Sequence, residues 1–142
     1  MSHRERFALV WVVALVVVLG TYMVLVAALP GYDGFGVSTK IALLGGTLGI
    51  LALAAIATQI AARSAADRPE SLALDERDRL IAGRAAEAAY HVLIAGMIIV
   101  GIVMPFNNGG WEIINAALLA IAAAEIVHHG LIFAAYRRGV RA

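Results

Sequence analysis

Two stretches of this chain carry side chains able to do chemistry inside otherwise apolar surroundings: Glu87-Ala88-Ala89-Tyr90-His91 and Glu125-Ile126-Val127-His128-His129. Carboxylate and imidazole together form an ordinary ligand set for divalent zinc, iron or manganese. Glu125 and His128 have the Glu-x-x-His spacing of di-iron carboxylate bundles, which use two such motifs and two further Glu residues. Only one copy is present, because Glu87 and His91 stand four apart, and the first two apolar runs bring no carboxylate. A complete di-iron centre within one chain is therefore not expected. The expectation is a divalent-metal site, single-ion or shared between copies, with Glu87, His91, Glu125, His128 and His129 as its metal-ligand candidates.

Two other chemistries use the same residues. Histidine titrates near neutral pH and burial raises a carboxyl group's pKa, so imidazoles and carboxyls at graded depth in a membrane can pass a proton. The outer half of the spans offers little to continue such a path; Thr21, Tyr22 and Thr47 are the polar side chains read there. Alternatively the groups only satisfy one another as hydrogen-bonded glue, with Glu87 reaching back to the interface. Haem held by His91 with His128 or His129 fits less well, since so short a chain leaves little room for the macrocycle.

The elements that must position these residues follow from composition. The 142 residues are 62% hydrophobic and 15% charged, with a mean hydropathy of +0.87. A soluble domain carries about 25% charged residues. Four apolar runs, at about 7–29, 39–62, 85–104 and 111–136, reach the roughly 17–25 residues that cross a hydrocarbon core. The expectation is an all-α four-helix transmembrane bundle forming one integral membrane domain. The first run is too long for a signal-peptide core and is read as a retained span. The absence of cysteine excludes disulfides, thiolate metal sites and thiol nucleophiles.

Local signals place the boundaries. Pro30-Gly31 ends the first span, and Tyr32 and Phe35 suit a headgroup boundary. Ser38 is the expected N-cap of the second span, which carries Gly45 and Gly49 at a spacing that admits close helix approach. Residues 63–84 read as a cytoplasmic linker and amphipathic extension, with Asp75 capping a helix and pairing with Arg79 at i,i+4. Pro105 ends the third span, and Asn107-Asn108-Gly109-Gly110 forms a tight turn. Trp111 and Tyr136 bracket the fourth. Its Ala-rich middle, 116–124, favours close packing.

All ten arginines lie before the first span, between the second and third, or after the fourth, and the opposite loops hold only Lys40. The positive-inside rule places both termini and the middle loop in the cytoplasm, as in a multi-pass protein of the inner (plasma) membrane. The linker arginines are interleaved with acids, which fits anionic lipid and not nucleic acid. Spans three and four then form an antiparallel hairpin. At ~1.5 Å per residue, His91 lies about 10 Å and Glu125 about 18 Å inside the cytoplasmic face, with Gln59 of span two about 6 Å in. The partners expected are the lipid bilayer and, from the Gly45/Gly49 and Ala-rich faces, further copies in a homo-oligomer.

The segment Asp75-Glu76-Arg77-Asp78-Arg79-Leu80-Ile81, followed by small residues and a span, resembles small uncharacterised bacterial and archaeal membrane proteins. Several such families carry an Asp-Glu-Arg element just ahead of a span in a four-span layout. The resemblance covers about 30 residues. It implies a four-helix inner-membrane protein and lends no catalytic residue.

Overall fold

A computed structural model describes residues 3–66 and 76–139, with side chains placed for 8–60 and 79–137. Four long helices follow in order: α1 (His3–Ala28), α2 (Val37–Ala66), α3 (Glu76–Ile98) and α4 (Gly110–Gly139). Within them, Ala8–Ala28, Val37–Ile60, Arg79–Phe106 and Gly110–Arg137 are long and apolar enough to cross a membrane. A helix meets the bilayer's demand that every backbone polar group be bonded internally. The expected Asp75 cap, its pairing with Arg79 and the linker over 67–74 lie outside the described residues.

Helix boundaries follow local chemistry, with three departures from expectation. The α2 helix begins two residues early, at Val37, because Gly36 and not Ser38 supplies the capping carbonyl: it accepts from Thr39 N at 3.0 Å and Lys40 N at 3.2 Å. The third span continues past Pro105. Its ring crowds the carbonyl four residues back, and the chain responds by widening into a π turn over Ile99–Val103 and then tightening into a 3-10 turn over Met104–Phe106. Glu112 was not read as a structural residue, yet its carboxylate accepts from Gly109 N at 3.0 Å and Asn108 Nδ2 at 2.9 Å. This is the return half of a capping box at the start of α4. Gly31 takes the left-handed conformation (φ 80°) that lets the chain turn after Pro30.

The spatial order of the helices is α2–α1–α4–α3. The α1 helix packs on both α2 and α4, and α3 packs on α4, the antiparallel hairpin expected. Among the described residues α2 and α3 share no extended contact, so the bundle is open along one side. Leu15, Leu19 and Tyr22 of α1 meet Ala122 of α4 in the core, flanked by Leu43 and Leu44 of α2. Large apolar side chains such as Val17, Val24 and Leu53 face outward, as a lipid solvent allows.

Small residues set the α3–α4 approach. A Cβ built on Gly96 would lie 2.6 Å from the Ala120 Cβ, whereas Gly45 and Gly49 meet nothing within 4 Å. The Ala-rich middle of α4 is thus used within the chain, and the Gly45/Gly49 face of α2 is open. Gly96→Ala is expected to destabilise the detergent-solubilised protein by about 1–3 kcal/mol through overpacking, and Gly49→Ala by no more than about 0.5 kcal/mol. Unfolding midpoints of the two variants check this.

Candidate functional site

The α1–α4 seam holds the polar groups that the fold brings together. In the half of the seam nearest the N-terminus of α1, Trp11 Nε1 donates to Glu125 Oε2 at 3.2 Å. The indole N–H can only donate, so this oxygen acts as acceptor. His129 lies one turn beyond Glu125 on α4. Its Nδ1 is 3.1 Å from the Glu125 carbonyl oxygen and 3.4 Å from Oε2. Both are acceptors when the carboxylate is ionised, which assigns the proton to Nδ1. The His129 ring also lies 6.3 Å from the Trp11 ring, and His128 meets it edge-on at 4.9 Å. The His129 side chain is 13% exposed and that of Glu125 43%. One histidine engages the carboxylate and its neighbour packs on that histidine, as their 100° separation requires.

A second polar level closes the other half of the seam. Tyr22 donates from its hydroxyl to Asn115 Oδ1 at 2.9 Å. Tyr32, in the 3-10 turn that follows α1, is buried and brings its hydroxyl beside that of Tyr22 without a hydrogen bond of good geometry. Lys40 covers it: the ammonium donates to the Asp33 carbonyl at 3.1 Å and lies 4.9 Å and 5.9 Å from the Tyr32 and Trp111 ring centroids. Tyr32 is therefore buried under a cation.

The two levels obey one antiparallel register. Trp11 to Tyr22 spans about 16 Å on α1, and Asn115 to Glu125 about 15 Å on α4. Between them Leu15, Leu19, Leu118 and Ala122 fill the seam with apolar atoms. Thr21, Thr47 and Thr58 bond back to carbonyls of their own helices, at 2.6, 2.9 and 2.9 Å. No chain of polar side chains joins the two levels among the described residues.

Glu87 and His91 are not part of this constellation. The Gly96–Ala120 contact sets the α3–α4 register and places His91 level with Glu125, so the two pairs share a depth. Azimuth separates them. Ala85 and Val100 are buried and Gly96 meets α4, whereas Glu87, Tyr90 and His91 are exposed on the opposite side of α3. His91 Nδ1 contacts the Glu87 carbonyl at 2.7 Å, and its ring lies 6.1 Å from that of Tyr90. Among the described residues no three His, Asp or Glu side chains converge on one point. The expected ligand candidates, Glu87, His91 and Glu125 with one of His128 and His129, are thus divided between two faces. Gln59 is exposed on α2, which packs on α1, and does not join either group.

Sequence reading missed two partners. Trp11, near the end of the first span, and Asn115, in the fourth, carry no motif that marks them. The signal that finds them is register: once α1 and α4 are paired antiparallel through Trp11 and Glu125, Tyr22 falls opposite Asn115.

The model of a family described as predicted membrane protein, DUF2178, matches residues 5–140. The chain belongs to the DUF2178 family. That match runs through all four helices of the DUF2178 fold described above and includes both Glu/His stretches. Comparison with curated proteins and with solved structures gave no match.

The division of the two Glu/His pairs has a direct test. Glu125→Ala removes an interhelical acceptor and is expected to cost about 0.6–1.7 kcal/mol of stability. Glu87→Ala, in dilute detergent where copies are separated, should stay within about 0.5 kcal/mol. Equilibrium unfolding by denaturant reads both.

Proposed function

We propose that this DUF2178 protein is a multi-pass subunit of the inner (plasma) membrane with a structural or regulatory role, working as a homo-oligomer with its arginine-rich ends in the cytoplasm. One observation carries the reading. The ionisable side chains of the α1–α4 seam bond to the chain itself, Trp11 to Glu125 and Glu125 to His129, in place of converging on an open pocket. A group held this way fixes helix register and orientation, a use well attested for polar residues in helical interfaces. The distribution of Arg79, Arg84 and Arg137 on one side and Lys40 on the other supports the orientation.

Divalent metal binding is the competing reading, and the Glu125–His129 pair supplies two donors for it. The remaining ligands would have to come from His128, solvent or another copy. Metal content discriminates the two. Protein purified without chelator and reconstituted with zinc, iron or manganese is expected to carry no stoichiometric ion. An ion bound one per chain, and lost in Glu125→Gln, would overturn the structural reading. Orientation is checked separately: a periplasm-active reporter inserted in the 107–109 turn should be active, and one fused after Arg137 inactive. The reverse pattern contradicts the assignment.

A further inference from the structure

The outward face of α3 carries a pattern that the rest of the chain does not use. Leu80, Arg84, Glu87, His91, Ile94 and Ile98 repeat at alternating intervals of four and three, and all six are exposed. That is the a/d spacing by which two helices pack knobs into holes. It lies on the far side of α3 from Ala85 and Val100, which are buried, so α3 has one face for α4 and a second with no covering helix among the described residues. Arg84 marks the headgroup level, and His91 lies about 10 Å deeper. An ionisable side chain turned toward lipid at that depth is costly and calls for a partner.

We infer that this face joins α3 to the α3 of a second copy of the chain, about a twofold axis normal to the membrane. The inference rests on the oligomeric reading above and gives it a surface. Charge complementarity selects the occupant. The Nδ1 of His91 is committed to the Glu87 carbonyl at 2.7 Å, which leaves Nε2 directed away from its own helix. In a parallel pair the Glu87 carboxyl group of one copy lies one turn from the His91 ring of the other. The two groups share a single proton: either a neutral acid donates to Nε2, or an imidazolium donates to a carboxylate. Both arrangements carry no net charge, and the twofold axis repeats the bond. Ile94 and Ile98 continue the seam with apolar contacts. A foreign helix would have to reproduce this acid–imidazole pattern; a second copy does so by identity. Symmetric dimers with self-complementary surfaces are also the commonest oligomers.

The chain has no native cysteine, so a single introduced thiol reports position unambiguously. Ile94→Cys, Ile98→Cys, Val17→Cys and Leu53→Cys would each be oxidised in isolated native membranes. The inference predicts disulfide-linked dimers of the chain at Ile94 and Ile98, and little product at Val17 or Leu53, which are exposed on α1 and α2. Adding His91→Ala to Ile94→Cys should lower the yield, in line with a loss of affinity of about tenfold to a hundredfold for the two symmetry-related interhelical hydrogen bonds it removes. Crosslinks at Leu53 in place of Ile94, products with an unrelated protein, or yields indifferent to His91→Ala overturn the inference. Size measurement in mild detergent separates the two levels of the account. A dimer without Ile94 crosslinks removes the α3 surface and leaves the oligomer; a monomer removes both.

Discussion

A carboxylate placed in the apolar middle of a helix must find a hydrogen-bond donor, and in this chain Glu125 finds Trp11 on the neighbouring helix. The rest of the arrangement depends on that need. It fixes which face of α1 meets α4 and which rung of α1 lies level with the C-terminal half of α4. With Trp11 and Glu125 paired, Tyr22 is carried to Asn115 and the leucines between are carried into the core. In lipid there is no hydrophobic force to bring helices together, so such bonds and close small-residue contacts set the packing. The Gly96–Ala120 approach plays the second part, holding α3 on the other side of α4.

Two Glu/His pairs at one depth therefore meet different fates. Glu125 and His129 face the seam and are satisfied inside the chain. Glu87 and His91 point away from every described helix, with only a backbone carbonyl engaged. The membrane raises the cost of leaving the second pair exposed, which is the ground for the proposed association of copies. The same chemistry is an internal lock on one helix and, in that proposal, the contact surface of another.

The number of helices, their spans and the α3–α4 hairpin were legible because hydropathy over twenty residues is a strong signal and a short turn forces antiparallel neighbours. That the two pairs lie in the same half of the hairpin was legible too. Helix rise counted from the arginines, however, sets His91 and Glu125 about 8 Å apart, and the Gly96–Ala120 contact brings them level. Azimuth was not legible. Glu87 and His91 share one side of a helix by spacing alone, but which side faces α4 is decided by where Gly96 and Ala120 allow the backbones to meet. For the same reason a shared ligand set looked feasible from spacing and is split by rotation. Trp11 was hidden because tryptophan near the end of a span is usually an interfacial anchor. The cap of α2 shifted because glycine and serine are both acceptable there, and a capping carbonyl needs no side chain.

The most direct measurement is a double-mutant cycle on the bond that organises the seam. Trp11→Phe, Glu125→Leu and the double variant would be unfolded reversibly in one detergent, alongside the unmodified protein. Phe keeps the aromatic bulk without the N–H, and Leu keeps apolar bulk without an acceptor. The account predicts a coupling energy of about 0.5–1.7 kcal/mol between the two positions. Strict additivity, with the double variant losing the sum of the single effects, would show that Trp11 and Glu125 do not hold α1 on α4.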